Sequence, residues 1–183
     1  AYLSAEGARN IEMRITSIEK VKVIVSKIYD NNLLAATRYG YSPQETNGES
    51  DEYDYGSGGD ASFGDIIYEK EVDTRSLPKS NGSYLFNFSI EDKIPDLKGS
   101  YHIKIRSTED YWISDSRFIS LSDIGLIAKE GKDKLFVFAN SIKTAESLKE
   151  VNIVAYGANN QVLAMGATNA DGVAELSYTR KDF

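Results

Sequence analysis

The chain of 183 residues combines 41% hydrophobic and 27% charged side chains. This balance is typical of a globular protein that buries a core, and the length fits one large domain or two small ones. The formal net charge of −7 argues against a nucleic-acid partner, because no basic stripe is available to neutralise phosphates. The absence of cysteine excludes disulfide bonds, thiolate nucleophiles and cysteine-ligated zinc.

The first two predicted elements are β-strands. In "NIEMRITSI", which begins at Asn10, the apolar residues Ile11, Met13 and Ile15 alternate with polar ones, as in a half-buried strand. The next segment, "KVKVIVSKIY" from Lys20, is apolar on both faces near its centre. This pattern predicts a strand that is covered from two sides.

Residues 39–64 form a segment of unusual composition, with six acids, six glycines and four tyrosines. Such a composition offers little to a packed core and predicts a long surface loop. Its acids Asp51, Glu52, Asp54 and Asp60 are oxygen ligands that calcium accepts, but their spacing does not match a calcium-binding loop. We therefore predict no metal site, and the tyrosines (Tyr39, Tyr41, Tyr53 and Tyr55) leave open a contact with another domain or protein.

Two further strands are predicted at "YLFNFSI", which begins at Tyr84, and at "SYHIKIRS", which begins at Ser100. Their apolar faces are Phe86, Phe88 and Ile90 in one and Tyr101, Ile103 and Ile105 in the other. Alternation places His102, the single histidine of the chain, on the opposite face with Lys104 and Arg106, where we expect it to meet solvent. The single tryptophan, Trp112, follows in an aromatic stretch and is expected to anchor the core or a domain contact.

The second half consists of short β-branched and aromatic runs separated by turn residues. The runs are "KLFVFANSI", "EVNIVAYGA", "QVLAMGAT" and "VAELSY", and the turns are expected at 131–133, 159–160 and 169–172. No segment has a convincing amphipathic helical pattern, and none approaches about 18 consecutive apolar residues, the minimum for a membrane-spanning helix. The chain is therefore predicted to be all-β, built from antiparallel sandwiches.

Residues 111–172 resemble the macroglobulin domains of bacterial α2-macroglobulin-like proteins. In that family one domain closes with an aromatic strand and a Ser-Asp-Ile/Leu-Gly-Leu step, which is "SDIGL" from Ser122 here. The next domain runs a pair of strands, matched by Val137 to Val151, and turns at a hairpin, matched by "TNADGVA" from Thr168. The resemblance of the first half, over "RNIEMRITSIEKVKVIVSKIYDNNLL", is looser.

The resemblance implies two tandem macroglobulin domains, immunoglobulin-like β-sandwiches, that occupy residues 1–120 and 121–183 of a larger chain. Ser122 and Asp123 would form the junction between them. Complete macroglobulin domains resemble seven-stranded sandwiches. Residues 121–183 are too few for seven strands, so the second domain is expected to be incomplete in this fragment.

The resemblance also implies a function: a non-enzymatic scaffold fragment of an envelope protein that traps proteases. The alternative is a tandem binding module of a surface adhesin or carbohydrate-binding protein, because sandwiches carry many functions. We predict no catalytic, cofactor-binding or metal-binding residues and no cofactor. The expected partners are neighbouring domains of the same chain and, through the full-length protein, target proteases. The expected location is the bacterial cell envelope, periplasmic or surface-exposed, with a membrane anchor in a part of the chain not present here.

Overall fold

The computed structural model describes residues 2–3, 10–41, 63–91, 93 and 98–178. The chain divides into two compact units, Ala1–Leu121 and Ser122–Phe183. Both are built almost entirely from β-strands, and the prediction of an all-β sandwich fold is confirmed. No helix in the described ranges is long and apolar enough to cross a membrane.

The described residues of the first unit form eight strands in two sheets. The strands are β1 (Tyr2–Leu3), β2 (Asn10–Ile15), β3 (Lys20–Ile28), β4 (Gly64–Asp73), β5 (Lys79–Ser80), β6 (Ser83–Ser89), β7 (Gly99–Ser107) and β8 (Ser114–Leu121). One sheet has the order β1-β8-β7-β3-β4 and the other the order β2-β6-β5. All pairs are antiparallel except β1 with β8, which run parallel.

The core of the first unit lies between these two sheets. Its buried members are Val23, Val25, Phe88, Ile90, Tyr101, Ile103, Ile119 and Leu121. Ile11 and Met13 of β2 and Phe86 of β6 pack against them, so the apolar faces predicted from alternation are confirmed. The core forms because β-branched and aromatic side chains at every second position remove one face of each strand from water.

Strand β3 is central in its sheet and is covered on both faces, as predicted. Its residues from Val21 to Ser26 are all buried. The second face is covered by a short helix, α1 (Leu33–Tyr39), whose Ala36 is fully buried beside Ile28 and Tyr41. The sequence showed no convincing amphipathic helical pattern, and this seven-residue helix was not predicted because so short a helix leaves no detectable 3.6-residue pattern.

Over residues 122–178, the second unit forms five strands in two smaller sheets. The strands are β9 (Ile124–Glu130), β10 (Lys134–Ser141), β11 (Asn152–Tyr156), β12 (Val162–Ala167) and β13 (Val173–Ser177). One sheet has the order β13-β10-β9 and the other pairs β11 with β12. Every pair is antiparallel.

The interior of the second unit combines aliphatic side chains, among them Leu135 and Val151, with several alanines. Its buried cluster is Val137, Ile153, Ala174 and Leu176, with Ala155 and Ala164 packed against it. A Cβ added to Gly166 would lie 2.8 Å from Leu176 Cδ2, which is closer than carbon atoms approach. A methyl group at position 166 would therefore require the end of the Leu176 side chain to shift.

The segment from Thr168 to Ala174 is a tight turn, as predicted, but it does not make a hairpin. Gly172 has φ +73°, and the side-chain oxygen of Asn169 accepts hydrogen bonds from the N–H groups of Asp171 and Val173, both at 3.0 Å. The strands on either side, β12 and β13, lie in different sheets. The hairpin prediction was wrong because turn residues specify a local reversal, while pairing with β10 decides which sheet receives β13.

The two strands expected around Val137 to Val151 are β10 and β11, and they do not pair with each other. Val137 lies in β10, and Val151 precedes β11, which belongs to the opposite sheet. The intervening residues contribute one isolated bridge, Asn140 with Ser147. Buried Thr168 donates a hydrogen bond to Leu148 O at 2.6 Å and accepts one from Val151 N–H at 2.9 Å, which fixes the crossing between the sheets.

Candidate functional site

The acids that the sequence offered as metal ligands, Asp51, Glu52, Asp54 and Asp60, lie outside the described residues. The predicted surface loop can be followed only at its ends, where Tyr41 is buried, against the prediction, and donates a hydrogen bond to Gly64 O at 3.3 Å. Within the described ranges, no group of three or more histidine, aspartate or glutamate side chains is arranged to hold a metal ion.

His102 is buried, with 2% of its surface exposed, and the prediction that it faces solvent was wrong. Its ring centroid lies 5.1 Å from that of Tyr41 and 4.8 Å from that of Phe118. Burial, and secondarily the positive charge of Lys104, lowers the pKa of His102 to about 4. Its Nδ1 has no hydrogen-bond partner among the described residues, so a neutral, packed imidazole occupies this site near neutral pH.

Two exposed aromatic side chains mark the connection between β7 and β8. Trp112 is 68% exposed and Tyr111 60% exposed, and their ring centroids are 5.2 Å apart in an edge-to-face arrangement. Of the two roles predicted for Trp112, the core anchor was wrong, and a contact with another domain stays a prediction. Because this connection is a strand-to-strand turn, its side chains point away from the sandwich, and burial would require another molecule or domain.

A cleft of about 530 Å³ opens along one side of the first unit, between β2 of one sheet and β7 and β8 of the other. Its apolar lining includes Met13, Ile15, Ile103, Ile105 and Ile119. These residues belong to the inner faces of the two sheets, which diverge here. The cleft is therefore a part of the sandwich interior that the described strands leave open.

Two charged residues of β8 stand on the face that lines this cleft. Asp115 is the cross-strand partner of Ile105, and Arg117 is the partner of Ile103. Cross-strand partners share a face of the sheet, so both charges are on the same face as Ile119. Inward-facing charges near a sheet edge discourage unspecific strand pairing. Here they also add two charged side chains to an otherwise apolar cleft.

The outer face of the β11–β12 sheet in the second unit is apolar. Val154 faces Met165 and Tyr156 faces Val162 in the strand register. The exposed fractions of these four side chains range from 41% for Val154 to 70% for Met165. A contiguous apolar sheet face of this kind is typical of a surface that meets another protein or domain.

An exposed ion pair closes the turn after β4. The side chain of Asp73 accepts hydrogen bonds from Arg75 Nη2 at 2.7 Å and from Arg75 N–H at 3.0 Å. These bonds lower the pKa of Asp73 to about 2 and raise the pKa of the Arg75 guanidinium. The pair caps a short 3₁₀ turn, Thr74–Ser76, and its role is local.

The sequence alone did not indicate the cleft or the apolar outer face of the second unit. The outer face carried a signal, since "NIVAY" and "VLAMGA" are apolar at nearly every position, which indicates burial on both sides of a strand. The cleft carried no such signal, because it depends on how far the two sheets diverge.

The chain was compared with known proteins. Residues 121–182 match a family model described as the bacterial alpha-2-macroglobulin MG3 domain. A protein of Xylella fastidiosa (strain Temecula1) called alpha-2-macroglobulin is 27% identical over 98% of this chain and 11% of its own length. A Yersinia pestis protein called alpha-2-macroglobulin homolog is 25% identical over 94% of this chain and 9% of its own length. The chain therefore spans about a tenth of these relatives.

Solved structures give the same picture for the fold. The crystal structure of native alpha-2-macroglobulin from Escherichia coli spanning domains NIE-MG1 superposes with a TM-score of 0.66 at 18% identity, covering 92% of this chain and 78% of that one. The trypsin-activated protein from the same organism superposes with a TM-score of 0.66 at 18% identity, covering 98% of this chain and 12% of that one.

Proposed function

The chain belongs to the bacterial alpha-2-macroglobulin-like family, and from this premise we propose that it is a non-enzymatic scaffold segment of an envelope protein that traps proteases. The observation that carries the proposal is continuous similarity over 98% of the chain to a relative of which it forms only 11%. Such a match is expected of an internal part of a much longer protein.

The architecture of each unit is consistent with a scaffold. In the first unit the central strand β3 is paired on both sides, with β4 and β7, and its residues Val23 to Val25 are fully buried. Strands of this kind open only with global unfolding. A rigid sandwich is the element that a large protein needs if it is to carry a rearrangement from one region to another.

Protease trapping is tested on the full-length parent protein. We expect a protease incubated with it to lose activity towards a large protein substrate and to keep activity towards a short peptide substrate, since a trapped protease is shielded but not blocked. A matched variant, Phe88→Ala, removes a fully buried side chain from the first core and should weaken trapping by destabilising the scaffold. Equal loss of both activities in the wild-type protein would indicate an active-site inhibitor and contradict the proposal.

The absence of enzymatic activity is proposed separately. We expect the 183-residue chain to show no turnover of peptide, ester or glycoside substrates above a buffer control. Turnover that survives repurification and is lost on replacement of a single acid would contradict the scaffold assignment.

The envelope location is also a proposal that follows from the family. Fractionation of the producing bacterium should recover the parent protein with envelope markers. Recovery with cytoplasmic markers in intact cells would overturn it.

The alternative is a binding module of a surface adhesin or carbohydrate-binding protein, and the exposed pair Tyr111 and Trp112 favours it. An aromatic pair on a surface turn is able to stack on a sugar ring. Saturable binding to envelope glycans that is lost in Trp112→Ala, together with no effect of the full-length protein on proteases, would favour this alternative.

A further inference from the structure

The outer face of the β11–β12 sheet is exposed along its whole length. Six exposed side chains share this face, and they are Asn152, Val154, Tyr156, Val162, Met165 and Ala167. All six are uncharged, in a chain in which 27% of the residues are charged. Adjacent hydrophobic side chains that are exposed to this degree gain free energy when another surface removes them from water.

The composition of this face is typical of a permanent contact between proteins or domains. Tyrosine and methionine are enriched at the centre of such contacts and charged residues are depleted there, and both features are found here at Tyr156 and Met165. Permanent interfaces are more hydrophobic than transient ones. The face therefore fits a constant neighbour better than a partner that is bound only during part of the protein's activity.

The size of the face argues against a separate molecule as the neighbour. The two strands contain five and six residues. At about 3.3 Å per residue and about 4.8 Å between strands, their face measures roughly 20 Å by 10 Å, or roughly 200 Å². A stable contact between separate proteins buries about 800 Å² on each partner, whereas a domain tethered in the same chain is held at a high effective concentration and needs a smaller contact.

We propose that the β11–β12 outer face is the docking surface for another domain of the same longer protein, one that lies outside residues 1–183. The curated relatives supply such domains, because this chain corresponds to only 11% of one and 9% of another. The proposal rests on the proposed role as a segment of a longer protein and assigns that role a surface. It is independent of protease trapping, so its failure would leave the outcome of the protease assay unchanged.

Met165 makes the coverage of this face measurable. It is the single methionine of residues 122–183, and peroxide oxidises an accessible thioether to the sulfoxide while the peroxide is reduced to water. The experiment measures the rate of sulfoxide formation at Met165 in the full-length parent protein by peptide mass spectrometry, in buffer and in urea. We expect the native rate to be at least ~10-fold lower than the unfolded rate. Without a covering domain, the 70% exposure of this side chain would keep the two rates within about twofold of each other.

A matched pair of variants tests whether the contact is apolar. Val162→Lys places a charge on the face, which a dry contact disfavours, and should raise the native oxidation rate of Met165 at least ~5-fold. Gln161→Lys adds the same charge one residue earlier, at an exposed position in the turn before β12, and should keep the wild-type rate. Slow amide exchange in Lys134–Ser141, which is paired on both sides, reports that the second unit is folded in both variants.

Cross-linking identifies the neighbour without disturbing the fold. Tyr156→p-benzoylphenylalanine replaces one exposed aromatic side chain with a photoreactive one in the full-length parent protein. We expect cross-linked peptides from parts of the parent outside residues 1–183, at a yield that does not change on dilution.

The other outcomes overturn the proposal. A native oxidation rate at Met165 within about twofold of the unfolded rate means that the face is free. A cross-link to a peptide within residues 1–183 means that this chain covers its own face. Protection and cross-linking that are lost on dilution mean that a second copy is the neighbour, and cross-linking to a different protein means that the neighbour is foreign.

Discussion

Acidification should destabilise the first unit through one residue, His102. The imidazole is almost completely buried between Tyr41 and Phe118, and its pKa is lowered from 6.5 to about 4. A histidine with a lowered pKa binds its proton more weakly in the folded state than in the unfolded state. Its contribution to stability is therefore complete above pH 6.5 and is lost as the pH falls from 6.5 towards 4.

The magnitude follows from the two pKa values. Each pKa unit corresponds to about 1.4 kcal/mol, so the full difference corresponds to about 3 kcal/mol at most, and most of it falls between pH 6.5 and 4.5. We expect the free energy of unfolding of the first unit to decrease by about 2 kcal/mol between pH 7 and pH 4.5. Aspartate and glutamate side chains titrate mainly below this window.

Urea unfolding of the chain, followed by circular dichroism at several pH values, measures this decrease. The matched variant is His102→Leu, which keeps an apolar side chain of similar size beside Tyr41 but cannot bind a proton. Its unfolding free energy should vary much less between pH 7 and pH 4.5. An equal decrease in wild type and variant would refute the reasoning, and so would a wild-type protein whose stability is constant over this range.

Three further substitutions test the packing. Gly172→Ala should destabilise the second unit by about 2 kcal/mol or more, because the residue has φ +73° and the new Cβ would lie 2.7 Å from Ala139 O; an unchanged thermal midpoint would contradict this. Trp112→Ala should change the unfolding free energy by less than about 0.5 kcal/mol, since the side chain is 68% exposed. A larger decrease in the unfolding free energy, measured by urea unfolding, would mean that the side chain is buried. Glu69→Ala removes one ion-pair partner of buried Lys22 and should lower the urea midpoint of the first unit more than the matched variant Lys22→Met does, because the Met variant removes the buried charge itself; the reverse order of the two midpoints would be inconsistent with this.

Alternation along single strands predicted most of the first core. Ile11, Met13, Phe88 and Ile103 face inward as the period of two requires, because a strand in a sandwich has one face that must leave water. The same rule failed for His102. Alternation separates the two faces of a strand but does not say whether the second is also covered, and here α1, Tyr41 and Phe118 cover it.

The surfaces that bear on the proposed function were harder to predict from the sequence. Trp112 was expected in the core or at a domain contact because large aromatic side chains are usually buried, whereas its position in a turn exposes it. The turn at 169–172 was predicted from its residues, but the sheet that receives β13 was not. That choice depends on contacts such as Ala139 N–H with Gly172 O at 2.8 Å, which join segments distant in sequence.

The small residues inside the second unit imply opposite mutational tolerances for the two cores. In the first core, large buried side chains such as Phe88 and Tyr101 make the loss of volume the damaging change. In the second, Ala174 is buried and a Cβ at Gly166 would meet Leu176 Cδ2, so the gain of a methyl group requires neighbouring side chains to shift. Natural variants of the first unit should therefore enlarge or shrink its core with compensating changes nearby. In the second unit the small interior residues should be kept, and variation should fall on the outer faces of the strands.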